Sequence, residues 1–124
     1  MQKNELIFPK DIYSKHLTTI REFYFTQREI DVIACILHLR GTSKVASFLS
    51  ISPNTILVHI RNIMLKIGCN SREGIIDFVE KSDKLPILRK YYTTLIAQTE
   101  FDKCLKTISV LSGKENPSCF IIYD

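Results

Sequence analysis

Residues Ser52 to Gly68, preceded by Ile51, read ISPNTILVHIRNIMLKIG. They constrain the architecture more than any other stretch. Ser52 suits a helix N-cap, because its hydroxyl accepts a backbone N–H that the first turn leaves unpaired. Pro53 follows at the first helical position, where a missing N–H costs nothing. Gly68 suits the left-handed position just past the end. Ile56, Ile60, Ile63 and Ile67 recur at helical spacing and define one side. That side is expected to face a core. Asn54, Leu57, Val58, Arg61 and Leu65 fall on the opposite side. The stretch holds Arg61 and Lys66 and no acid. A capped helix with a buried seam and a basic outer side is compatible with nucleic-acid recognition and with an ordinary amphipathic role.

The 124 residues fit one domain with short appendages. Apolar content of 45% and charged content of 24% are those of a globular protein able to bury a core without staples. No apolar run approaches the ~18 residues of a membrane span. The opening MQKNELIFPKD lacks the long apolar region of an export signal. Cys35, Cys69, Cys104 and Cys119 match no zinc or redox spacing, so four free thiols in a reducing cytoplasm are expected. The net charge of +4 is spread along the chain. It permits a polyanionic partner and argues against strong nonspecific nucleic-acid binding.

Upstream, Glu5 to Phe8 reads as a short strand, and spacing predicts a helix from Pro9 to Glu22. Thr26 and Glu29 form the S/T-x-x-E capping box. Ile30, Val32, Ile33, Ile36, Leu37 and Leu39 continue that helix to Arg40, and Gly41 ends it. Thr42 or Ser43 is expected to cap a short helix through Ser50, with Val45, Ala46 and Leu49 inward. The short link Ser50-Ile51-Ser52 forces a steep crossing with the next helix, which is helix-turn-helix geometry. Ser71 caps a fourth helix with Glu73 in its first turn and Ile75, Ile76, Phe78 and Val79 on its apolar face. The fold class expected is all-α.

Here the chain resembles the DNA-binding domain of LuxR-type regulators, from Phe25 to about Val79. The family's T-x-R-E is present as Thr26-Gln27-Arg28-Glu29. Its I-A-x-x-L-x-I-S is met by Val45 to Ser52. Its T-V-K-x-H-x-x-N-I-x-x-K-L-G is met by Thr55-Ile56-Leu57-Val58-His59, Asn62-Ile63 and Lys66-Ile67-Gly68, and Arg72 matches a frequent arginine. The resemblance implies a tetrahelical helix-turn-helix whose third helix enters the major groove of double-stranded DNA. It implies a transcription regulator, and a homodimer formed through the fourth helix at Ile75, Phe78 and Val79. By position Ser52, Asn54, Thr55, Leu57, Val58, His59, Arg61 and Lys66 are the candidates for DNA contact. Ser52 suits a phosphate. Asn54 and Arg61 suit base edges. Lys66 is expected to be a phosphate contact or a solvated charge. For Thr55 and His59 a structural role is equally open.

Two departures from the pattern stand out. Leu57 occupies the family's lysine position, and with Val58 and Leu65 it makes the outer side apolar. Such a side could read thymine methyls, or serve as a protein-interaction or dimerisation surface instead of a DNA surface. Gly41 lies two positions later than the family's usual glycine, which predicts an extended first helix. The organisation expected is an N-terminal extension over 1–24, the helix-turn-helix domain over 25–80 and a C-terminal extension over 81–124. In the last, a helix from Pro86 and a second one capped by Thr99 and Asp102 precede a short strand, Cys119 to Tyr123, which pairs with Leu6–Phe8 or opens a further domain. No phosphate loop, metal-ligand spacing or nucleophile–base pair is present, so neither enzyme activity nor a cofactor is expected.

Overall fold

The computed structural model describes residues 8–39 and 41–114, with side chains to residue 108. The proposed strands at Glu5–Ile7 and Cys119–Tyr123 lie outside the described residues. Helix α1 (Pro9–Ile12) starts at proline and runs on as a π-helical segment, Tyr13–Leu17. An antiparallel hairpin follows, β1 (Thr19–Ile20) with β2 (Phe23–Tyr24), in the register Thr19↔Tyr24 and Ile20↔Phe23. The helix expected to reach Glu22 therefore stops at Leu17. The reversal is made by Arg21, at φ 61, whose guanidinium stands 4.9 Å over the Phe78 ring. A cation–π contact offsets the cost of a left-handed arginine.

Four helices form the centre: α2 (Gln27–Ile36), α3 (Thr42–Leu49), α4 (Pro53–Ile67) and α5 (Arg72–Glu80). The capping box at Thr26 and Glu29 is present in both directions. Helix α2 ends at Ile36, not near Arg40. His38 and Leu39 both donate their backbone N–H to the Cys35 carbonyl. The His38 ring sits 3.1 Å from the Ala34 carbonyl through Nδ1 and stacks 4.0 Å from Tyr92. That stack holds the turn. Gly41 is not the stop of α2 but the extended N-cap of α3. Thr42 and Ser43 do not cap α3. The Thr42 hydroxyl instead accepts from the Arg72 guanidinium, tying the start of α3 to the start of α5.

Helix α3 ends on Ser50 at φ 60, ψ 42. The Ile51 N–H reaches the Ala46 carbonyl at 3.1 Å, the closure of a Schellman turn. Gly68 repeats this after α4 at φ 78, with Cys69 N–H donating to Met64. Ser71 caps α5 by accepting from Gly74 N–H. A Cβ on Gly74 would lie 2.7 Å from Cys69 Cβ, so only glycine lets these backbones approach.

Helix α6 (Leu85–Lys114) is continuous. Thr99 and Asp102 do not begin a new helix. Between Pro86 and Gly113 no residue interrupts the backbone ladder, and Asp102 is held as an i, i+4 partner of Gln98.

The core is one cluster. Ile30, Val32, Ile33, Val45, Ile56, Ile63, Ile75 and Val79 share it with Leu17 and Ile20 from upstream and with Leu88 and Tyr91 from α6. Tyr13 donates to the Phe25 carbonyl at 2.7 Å, and Lys84 to the His16 carbonyl at 2.7 Å. The flanks are thus built into the bundle, and α1 and the first half of α6 close it. Cys35 lies fully inside. Burial, then the Asp31 charge, push its thiol up to about 12. It stays an inert thiol at neutral pH. Cys35, Cys69 and Cys104 are free thiols. Among the described residues no helix is long and apolar enough to cross a membrane.

Candidate nucleic-acid interface

Helix α4 divides as its periodicity requires. Ile56, Ile60 and Ile63 are buried, and Ile67 packs against the same cluster. Ser52 accepts from Thr55 N–H at 3.1 Å, and its hydroxyl lies 2.9 Å from the Thr55 hydroxyl. Both residues are exposed at the helix start. Asn54, Leu57, Val58 and Arg61 are exposed as well. Leu57 and Val58 keep 44% and 46% of their surface, and Leu65 keeps 74%. Their outward position follows from geometry: at ~100° per residue each lies ~100° or more from Ile56.

Arg61 makes no hydrogen bond or ion pair among the described residues, and its side of the helix lies across from the core. Asn62 is exposed beside it. The sequence reading matched Asn62 to a motif and gave it no role. Its signal was available, since it follows Val58 by one helical turn.

Two candidates lie elsewhere. His59 is half-buried, on the flank of the seam beside Ile60. Lys66 is exposed, and its ammonium turns back toward α2. Its Nζ lies 2.9 Å from Glu29 Oε1 and 5.1 Å from the Phe25 ring centroid. Glu29 is 6% exposed. Its one carboxylate closes the α2 capping box and holds the last turn of α4.

The fourth helix turns its apolar side inward. Ile75 and Val79 are fully buried and Phe78 is 9% exposed. Phe78 meets Phe23 and Phe25 edge to face, at centroid separations of 5.7 and 6.4 Å. The dimer contact expected at these three residues is thus core, because the hairpin and α2 cover it.

A buried polar group that sequence reasoning missed lies behind α4. Asp31, 6% exposed, accepts from the Tyr91 hydroxyl on α6 and pairs with Arg28 at 3.2 Å. Burial raises the Asp31 carboxyl above its ordinary 3.8, against the lowering pull of Tyr91, Arg28 and His59. Burial, with the Asp31 charge and hydrogen bond, raises Tyr91. No group of three or more His, Cys, Asp or Glu side chains is arranged to hold a metal among the described residues.

No curated protein and no solved structure matches the chain. The family model described as bacterial regulatory proteins, luxR family, matches residues 24–79. That span runs from the end of β2 through α5, the helices that place α4 on the surface. Residues 24–79, a little under half of the chain, are thus similar to the helix-turn-helix domain of the luxR family of bacterial regulatory proteins.

Proposed function

We propose that this chain is a sequence-specific DNA-binding transcription regulator that lays α4 in the major groove. One observation carries the reading: Asn54, Leu57, Val58 and Arg61 stand exposed on the side of α4 away from the core, in a family of regulators built on this motif. Arg61 reads guanine, and Asn54 and Asn62 suit adenine. Leu57 and Val58 meet thymine methyls. Ser52 and Thr55 at the helix N-terminus contact a phosphate. His59 supports the seam.

Selection from random duplexes at two salt concentrations tests this. A recovered half-site motif is the expected result. Arg61→Ala is expected to relax specificity at one position by about 1–3 kcal/mol with an unchanged melting temperature. Leu57→Lys is expected to raise affinity and steepen the log–log salt slope by about 0.9.

The exposed apolar residues Leu57, Val58 and Leu65 favour one rival, a helix-turn-helix used to bind protein. In that case Leu57→Lys places a charge in an apolar contact and weakens the partner. The two readings give one substitution opposite signs.

A further inference from the structure

The face of α6 that meets the bundle changes its chemistry along the helix. Leu88, Tyr92 and Leu95 lie on that face and pack against the core. Thr99, Lys103 and Lys106 continue it, within ~60° of Leu88 at ~100° per residue. There the face passes α3 and bounds an open groove with it. Phe48 of α3 lines the whole groove, and its ring centroid lies 5.8 Å from that of Tyr92. Lys44 and Ser47 stand on the α3 wall, and Thr99 and Lys103 on the α6 wall. Past Ser50 the groove runs on to Lys106.

The cations of this groove exceed its acids. Arg28 and Asp102 also line it, but Arg28 is paired with Asp31 and Asp102 accepts from Gln98. Lys103 has only a long 3.9 Å contact with Glu100. Lys44 and Lys106 make no ion pair or side-chain hydrogen bond among the described residues. A cleft lined by one sign of charge concentrates counter-ions. Lysine ammonium groups beside serine and threonine hydroxyls are common partners of nucleic-acid phosphates. The position of the groove narrows the choice of anion. Ser50 lies on it, two residues before Ser52, the N-cap of α4. The groove therefore opens beside the helix terminus assigned above to a phosphate.

We propose that the groove between α3 and α6 takes backbone phosphates of double-stranded DNA beside the site read by α4. Lys103 and Lys106 are its contacts from α6, and Lys44 faces them from α3. The inference rests on the DNA reading and deepens it. A helix outside residues 24–79 then adds affinity without reading sequence.

Duplex affinity of the full chain, measured against salt, tests it. The probes are a duplex with the half-site recovered by selection and a random-sequence duplex of the same length. Lys103→Gln combined with Lys106→Gln is expected to flatten the log–log salt slope by about 1.8, at about 0.9 for each phosphate contact. Both probes are expected to weaken by the same factor, with the base preference kept. The melting temperature is expected to match wild type, because both side chains are exposed. Arginine at both positions is expected to restore the slope. Arg89→Gln with Lys90→Gln removes the same charge from exposed positions of α6 outside the groove, and is expected to keep the wild-type slope. A wild-type slope in the Lys103 and Lys106 variant overturns this inference and leaves the DNA reading standing. An equal loss in the Arg89 and Lys90 variant overturns it too, since net charge and not the groove would then set the slope. A wild-type chain that binds neither duplex overturns the DNA reading, and this inference with it.

Discussion

Helix α2 has two seams, one with α4 and one with α6, and each closes over a buried carboxylate. On the α4 side Glu29 meets the ammonium of Lys66. On the α6 side Asp31 meets the neutral hydroxyl of Tyr91, with Arg28 at its edge. The first seam lies inside the family segment. Its apolar content is a run of isoleucines from one helix. The second joins the family segment to a flank, and Tyr91 supplies both apolar bulk and a hydrogen bond. Glu29 is held by its own helix cap as well as by α4. Asp31 depends on a residue sixty positions away.

The largest expected effect breaks the first seam. Ile63 is fully buried at its centre. Ile63→Ala removes buried methyl groups and leaves a cavity that a bundle held by caps at both ends of α4 closes only in part. A loss of about 2–5 kcal/mol is expected by chemical denaturation. A midpoint equal to wild type would show that α4 faces the other way.

What the sequence made legible divides along the same line. The seam with α4 is written locally, in isoleucine spacing, Ser52, Pro53 and Gly68, and each of these stands where local chemistry puts it. The capping box at Thr26 and the serine caps need only three residues of context. Failures came where a partner was distant. Helix α2 stops at Ile36 because His38 stacks on Tyr92, a contact with no trace in the sequence near Arg40. Arg21 turns the chain over Phe78, and Lys66 finds Glu29. The outer face of α4 was legible as a face. The employment of Lys66, and the burial of Ile75, Phe78 and Val79 under the hairpin, were not. A helical stripe shows that a side is apolar and does not say which element covers it.

The second seam breaks through Tyr91→Phe. The ring stays, and Asp31 loses a donor in a buried site. The expected cost is about 1–3 kcal/mol at neutral pH. The pH dependence carries a sign of its own. Burial raises the folded Asp31 carboxyl above 3.8, so the folded chain binds its proton more tightly than the unfolded chain. The contribution of Asp31 to stability therefore falls as pH rises from about 3.8 through the folded value. Without the Tyr91 hydroxyl, which favours the ionised form, this decline is expected to extend to higher pH. Asp31→Asn is expected to remove it. Melting curves across acidic and neutral pH for the three chains check both points. A Tyr91→Phe profile parallel to wild type would mean that the hydroxyl does not govern Asp31.

The smallest effect sharpens the comparison, because Lys66 can be employed in only one of two ways. If it braces α4 against α2, Lys66→Ala leaves Glu29 with its cap bond and without its ion pair. The Lys66 side chain is about a third exposed, so water screens the pair. The expected loss is about 1 kcal/mol. Duplex affinity would then keep its salt slope, since no phosphate contact has gone. If Lys66 instead leaves Glu29 to neutralise a phosphate, the slope would shrink by about 0.9 with little change in melting temperature. The structure favours the brace. Its ammonium is within hydrogen-bond distance of a nearly buried carboxylate and lies over the Phe25 ring, and both contacts would have to break for it to reach the outer side of α4. Lys66→Met separates packing from charge. It keeps the stem over Phe25 and removes the ion pair, so it is expected to fall between wild type and alanine in stability, with a wild-type salt slope. A slope reduced equally in both variants would make Lys66 a DNA contact, and the seam between α2 and α4 would then hold by its isoleucines alone.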